Sequence, residues 1–234
     1  MNGPNTTTEN MISSFTDELE QIASDLLRMG GIAESMILDA CEAVSKDDKA
    51  LAQRVVAQDP EVDALEADVE KQIMVVIAKR QPTAQDLRTV MSALKVAGEL
   101  ERVGDLSRNI AKRSMELDDN LGNAMRNGIM RMGRAVSRQL NDVLDAYSAN
   151  DEIAARTVWE GDDDIDQFYN SLFREMMTYM IEDPRTISAG AHILFMAKNL
   201  ERVGDHCTNI AEFVHFQATG SYLIPSERPK SPNV

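Results

Sequence analysis

Apolar residues recur along this chain at spacings of three and four. Between Thr8 and Val44 they fall at Met11, Phe15, Leu19, Ile22, Leu26 and Met29, the stripe by which an amphipathic helix meets a core. Ser45-Lys46-Asp47-Asp48 interrupts the stripe, and Asp47 or Asp48 can cap a second helix reaching to about Arg80. Pro60 lies inside that helix and predicts either a kink or a restart capped by Asp59. Gln81-Pro82-Thr83 opens a third helix that continues to about Leu117. The longest clearly apolar run, Ile73–Ala78, is far too short to span a bilayer.

The pattern then repeats. Leu-Glu-Arg-Val-Gly-Asp occurs at Leu100–Asp105 and again at Leu200–Asp205, and Asn109-Ile110-Ala111 returns as Asn209-Ile210-Ala211. Nine of the twelve positions from 100 to 111 are identical to those one hundred residues later, a duplicated unit rather than a coincidence. Upstream, at a shift of 103, Asp39, Ala43, Asp48, Ala52, Val55, Asp59 and Asp63 match Asp142, Ala146, Asp151, Ala155, Val158, Asp162 and Asp166, and Pro82 then aligns with Pro184. Short connections force neighbouring helices to lie antiparallel. The expected fold is therefore all-α: two tandem antiparallel three-helix bundles related by internal duplication, over 1–118 and 119–219. A linker falls near Asp118–Asn123, and an irregular tail, 220–234, contains Pro225, Pro229 and Pro232.

The repeated motif carries Glu101 and Asp105, and again Glu201 and Asp205. Four residues is nearly one helical turn, so each pair shares a face. The core stripe reads Val96, Leu100, Val103 and Ile110, which places the acids on its flank. Gly104 and Gly204 beside them leave room for close approach of another helix or a ligand. Helix two is antiparallel to helix three, so Asp59 and Asp63 can face Glu101 and Asp105, and Asp162 and Asp166 can face Glu201 and Asp205. Two carboxylates at such spacing repel by about 0.7 kcal/mol in water and about 3 kcal/mol at an effective dielectric of 20. Arg neighbours or bound cations must offset that cost. Arg102 and Arg202 follow their Glu directly and so point to another side of the helix, which favours cations. An all-oxygen donor set suits Mg, Ca, Mn or Fe. The alternative is a solvated acidic face.

A net charge of −15, from 39 acids against 24 bases, argues against nucleic acid and anionic lipid as partners. It fits cations or basic protein surfaces, or solubility alone. The polar start, Met1–Asn10, has no signal-peptide pattern. Cys41 and Cys207 lack metal-type spacing and suit a reducing compartment. Glu212-x-x-His215 has di-iron ligand spacing, but its repeat counterpart is Lys112 and Met115, which removes the second half of such a site. His206 maps to Leu106, and His192 lies in an apolar run; both read as packed or surface histidines. Trp159 maps to Val56 and reads as core, as do the Met residues within Glu175–Met180 unless they form an adaptable contact surface. No Gly-rich phosphate loop, nucleophile elbow, CxxC or His-rich cluster is present, so no enzyme is expected.

The repeated Leu-Glu-Arg-Val-Gly-Asp with its Asn-Ile-Ala, together with Arg80-Gln81-Pro82-Thr83-Ala84-Gln85-Asp86-Leu87-Arg88 and Val203–Glu212, resembles the PhoU family of phosphate-specific transport system accessory proteins. The resemblance spans all but the first few and the last fifteen or so residues. It implies a cytoplasmic, often homodimeric pair of three-helix bundles. Such a protein acts with a phosphate ABC transporter and its ATPase subunit, and with a phosphate-sensing histidine kinase. It represses phosphate-starvation genes when phosphate is plentiful and restrains uptake. It further implies multinuclear metal, with Fe, Mn or Mg as the candidates, held by Asp59, Asp63, Glu101 and Asp105 in one repeat and by Asp162, Asp166, Glu201 and Asp205 in the other. Two departures stand out: Pro60 interrupts the first acidic pair, and Asp183-Pro184-Arg185-Thr186-Ile187 replaces the Gln-Pro segment in the second repeat. The rival readings are a carboxylate-bridged metalloenzyme and a metal-free structural helical adaptor.

Overall fold

The computed structural model of the chain describes the backbone of residues 6–117, 123–161 and 163–224, with side chains from Phe15 in the first segment and from Met125 in the second. The expected linker, apart from Asn123, lies outside the described residues, as do the tail prolines Pro225, Pro229 and Pro232, and Asp162. The described elements are α1 (Thr6–Lys46), α2 (Lys49–Arg80), α3 (Ala84–Ser114), α4 (Asn123–Ala149), α5 (Glu152–Glu160), α6 (Asp163–Glu182), a 3-10 turn (Pro184–Thr186) and α7 (Ile187–Thr219). None of the described residues forms a strand.

The duplication is visible in the turns. Asp47 and Asn150, repeat mates at the 103 shift, both take left-handed backbone angles, with φ of 55° and 50°. The following aspartates close the turn alike: the Asp48 N–H donates to Ala43 O at 3.0 Å, and the Asp151 N–H donates to Ala146 O at 2.9 Å. Each then caps the next helix, Asp48 accepting from the N–H of Leu51 and Asp151 from those of Ile153 and Ala154.

The middle helices diverge, and the restart that Pro60 allowed in the first repeat does not occur there. Helix α2 runs unbroken through Pro60, and Asp59 caps nothing. Proline removes one backbone hydrogen bond there, while Val55, Val62, Leu65 and Val69 stay buried along one face and hold the helix down. The break falls instead in the second repeat. Gly161 ends α5, its N–H reaching Thr157 O and Val158 O at 3.1 and 3.2 Å. Helix α6 then opens with Asp163, Asp164 and Asp166 in its first turn, where the helix dipole favours negative charge. The second repeat thus has its middle element split into α5 and α6.

The two repeats share one core. Val96, Leu100, Val103 and Ile110 are fully buried, and so are their counterparts Met196, Leu200, Val203 and Ile210. Helices α3 and α7 run antiparallel along the junction. The Lys95 ammonium lies 5.0 Å from the centre of the Phe213 ring, and the Arg113 guanidinium 4.3 Å from that of Phe195. At the shift of one hundred these two contacts are images of each other, so the junction has an approximate two-fold axis. Helices α1 and α4 pack antiparallel beside it, Gly30 against Leu144 and Gly133 against Cys41. Both cysteines are buried and free. No helix among the described residues is long and apolar enough to cross a membrane.

Candidate carboxylate site

Gly104 and Gly204 set the distance between the acidic helices. A Cβ on Gly104 would lie 3.4 Å from Val62 Cγ1, and one on Gly204 would lie 3.3 Å from Ile165 Cγ2. Val62 and Ile165 are repeat mates, so the same close approach is built twice.

In the first repeat this approach brings Asp59 and Asp63 on α2 against Glu101 and Asp105 on α3, as their antiparallel spacing predicts. Glu66, not singled out in the sequence, extends the row: it follows Asp63 by three positions on α2, and its Oε1 lies 3.8 Å from where a Gly98 Cβ would stand. Burial pushes the carboxyls of Asp63, Glu66 and Glu101 above their ordinary range, and the neighbouring carboxylates push them further. For Asp63 those neighbours are Asp59 and Asp105; for Glu66 they are Glu101, Glu70 and Asp63.

The expectation that arginines point elsewhere is corrected here. Arg102 wraps back over its own turn, with Nε 3.4 Å from Glu101 Oε2 and Nη1 3.6 Å from Asp105 Oδ2. Arg108 enters the cluster itself. Its Nη2 lies 2.8 Å from Asp105 Oδ1, and its Nη1 pairs with Oδ2 of Asp59 across the helix interface. Asp59 is only 4% exposed, and its Oδ1 is buried without a hydrogen-bond partner. The available signal was spacing: Arg108 is three residues beyond Asp105 and therefore on its face.

The second repeat is built differently. Thr208 stands where Arg108 does, its hydroxyl donating to Gly204 O at 3.1 Å, and Tyr169 stands where Glu66 does. Lys198 pairs with Glu201, Nζ to Oε1 at 2.5 Å, and lies 5.3 Å from the centre of the Tyr169 ring. The hydrogen bond to Glu201 raises the Lys198 ammonium above its usual value, and the charges of Glu201 and Asp205 add to this. The other Glu201 oxygen, Oε2, is buried with no hydrogen-bond partner, as are both amide atoms of Gln139. Gln139 lines an open cleft of about 720 Å³ between α4, α5 and α6, with Arg138, Asp142, Asp145 and Phe168. Asp166 and Asp205 are solvent-exposed, and Asp162 is outside the described residues. Among the described residues no group of three His, Cys, Asp or Glu is placed to hold a metal ion.

His206, read as a packed or surface residue, makes a structural contact. His206 Nδ1 lies 2.6 Å from Glu99 Oε2, and Asn209 Nδ2 donates to the same oxygen at 3.1 Å. Burial alone would raise the Glu99 carboxyl, but the bonds from His206 and Asn209 outweigh it and hold Glu99 below its usual range. Glu212 accepts a hydrogen bond from the buried Trp159 indole at 3.0 Å, which makes Glu212-x-x-His215 part of the packing. Within Glu175–Met180, Met176 is fully buried while Met177 is exposed.

Comparison with known proteins agrees with this architecture. The model of the PhoU domain matches twice, over residues 26–114 and 129–214. The phosphate-specific transport system accessory protein PhoU homolog of Caulobacter vibrioides is 48% identical over 224 residues, covering 95% of this chain and 97% of that protein. Its counterpart in Rhizobium meliloti is 42% identical over 221 residues, covering 94% and 93%. Among solved structures, PhoU from Pseudomonas aeruginosa superposes with a TM-score of 0.83 at 36% identity, over 88% of this chain and all of that one. The phosphate transport system regulatory protein PhoU from Streptococcus pneumoniae gives 0.82 at 27% identity, over 90% and 99%.

Proposed function

The chain belongs to the PhoU family, accessory proteins of phosphate transport and not enzymes, and from that premise we propose that it is a cytoplasmic negative regulator of phosphate uptake and of the phosphate-starvation response. In this reading a homodimer docks on the ATPase subunit of a phosphate ABC transporter and on a phosphate-sensing histidine kinase, and keeps the kinase from signalling when phosphate is plentiful. The observation that carries the reading is the end-to-end match to PhoU proteins, with both domains present. The strongly acidic chain suits basic docking surfaces on such partners. Regulation of this kind requires two states with different partner affinity.

The test is genetic replacement. In a bacterium lacking its own PhoU, expression of this chain is expected to restore low alkaline phosphatase activity in phosphate-rich medium. The purified protein is expected to bind the transporter's ATPase subunit. Phosphatase activity that stays high despite normal expression would refute the regulatory reading.

Metal binding is proposed for the second repeat, through Asp162, Asp166, Glu201 and Asp205. The buried, unpartnered Glu201 Oε2 and the all-oxygen donor set fit Fe, Mn or Mg there. Such a metal, when bound, supplies the positive charge that offsets these carboxylates. The residues of the chain then fix the pose of α6 against α7, with Ile165 seated on Gly204. The first repeat does not fit, because a guanidinium already stands between Asp59 and Asp105. Elemental analysis of wild type against Glu201→Ala/Asp205→Ala tests the site, with loss of bound metal expected in the variant. Equal metal content in the two proteins would sink it.

A further inference from the structure

We propose that Arg108 is a resident counter-cation which makes the first repeat metal-independent, so that any response of this protein to metal is confined to its second repeat. The twelve-residue duplicated motif differs between its copies at only three positions, and one of them exchanges Arg108 for Thr208. That exchange falls at the centre of the acidic cluster. Arg108 bridges the two helices, one nitrogen on Asp59 of α2 and another on Asp105 of α3. These are two of the four carboxylates that a metal would need. A guanidinium stays protonated at any physiological pH and cannot act as a ligand. It therefore holds a permanent positive charge against one oxygen of each carboxylate and repels a second cation entering the same space.

The surroundings reinforce the assignment. The Arg108 side chain is 24% exposed and that of Asp59 only 6%, so their pairing is shielded from solvent and weakly screened by salt. To admit a metal, Arg108 would have to leave both partners and carry its charge out past a cluster that attracts it. A second guanidinium, Arg102, also lies within 4 Å of Glu101 and Asp105. In the second repeat Thr208 takes the Arg108 position, its hydroxyl directed to the backbone of its own helix, and the cation there, Lys198, pairs with Glu201 three residues along the same helix, where Arg108 bridges two. Closure of α2 on α3 is then a fixed property of the fold, whereas closure of α6 on α7 is open to control by metal.

The experiment uses the full chain carrying Glu201→Ala/Asp205→Ala, which silences the second repeat. After dialysis against Mn²⁺, this protein is expected to retain none by elemental analysis, and its Tm is expected to be the same with Mn²⁺ or with EDTA. Adding Arg108→Thr, the residue the second repeat carries, is expected to give uptake of about one Mn²⁺ per chain and a Tm that rises with Mn²⁺. Arg108→Thr leaves the buried Asp59 unpaired and threatens the fold. Asp59→Asn/Arg108→Thr is therefore made in parallel; it removes that buried charge and keeps Asp63, Glu101 and Asp105. Mn²⁺ retained by the Arg108 protein and lost on adding Glu101→Ala/Asp105→Ala would overturn the inference. So would folded threonine variants, single and double, that both take up nothing. If the wild type binds no metal but the threonine variants do, the role of Arg108 is upheld while the proposed second-repeat site falls.

Discussion

His206 Nδ1 sits 2.6 Å from Glu99 Oε2, tying α7 to α3 across the junction of the two repeats. The contact has no image on the other side of the approximate two-fold axis, because the counterparts of His206 and Glu99 are Leu106 and Asn199. It is one of the places where a duplicated chain has become two unlike halves.

Glu99→Gln tests that tie. Glu99 has a lowered carboxyl in the folded state, so its contribution is present above the unfolded carboxyl pKa and is lost as pH falls through the lowered folded value. At pH 7 the variant is expected to lose about 1 kcal/mol, a drop of about 2–4 °C in Tm. At a pH below the folded value the two proteins should melt together. A deficit that does not depend on pH would mean that the carboxylate charge is not what matters.

The sign reverses at Glu66. Its folded carboxyl is raised, by burial first and then by Glu101, Glu70 and Asp63. Stability associated with its protonation is fully present below the unfolded pKa and is lost as pH rises through the raised folded value. Glu66→Gln mimics the protonated form, and at pH 7.5 it is expected to raise Tm by about 1–2 °C. The gain should fade as pH approaches the unfolded pKa. Differential scanning fluorimetry across pH reads both variants, and a lower Tm for Glu66→Gln at pH 7.5 would contradict the crowding of carboxylates described for this cluster.

Gly133→Ala probes the contact of α4 with α1. A Cβ at that position would overlap the Cys41 sulfur, and both residues are buried. Overpacking of this kind costs about 1–3 kcal/mol, which here corresponds to a Tm lower by about 2–10 °C. Adding Cys41→Ala should recover part of the loss, and failure to recover any would point away from the Cys41 contact.

Trp159→Phe keeps the ring in the core but removes the indole N–H that bonds Glu212. The expected cost is about 1–2 kcal/mol in urea unfolding followed by circular dichroism. Trp159 is the single tryptophan, so in the wild type its fluorescence reports the docking of α5 on α7. An unchanged unfolding midpoint in the variant would show that the bond to Glu212 adds nothing to that docking.

What the sequence determined by itself was set by periodicity. The apolar spacing of three and four, the hexapeptide returning after one hundred residues, and an aspartate cap at Asp47 or Asp48 are local or one-dimensional facts. Helix geometry turns such facts directly into seven-residue faces and repeated bundles. The convergence of Asp59 and Asp63 on Glu101 and Asp105 was legible for the same reason, since antiparallel helices with a glycine at the crossing leave little freedom. The continuity of α2 through Pro60 and the break at Gly161 were not legible. Tertiary burial of Val55, Val62 and Leu65 overrides one missing hydrogen bond, while the acids at the start of α6 gain from a new helix terminus. Nor could spacing alone assign Asp59 to Arg108 or Glu99 to His206. A long or ring side chain reaches across an interface to whatever the neighbouring helix presents, and that neighbour is decided only when α2 closes on α3 and α7 closes on α3.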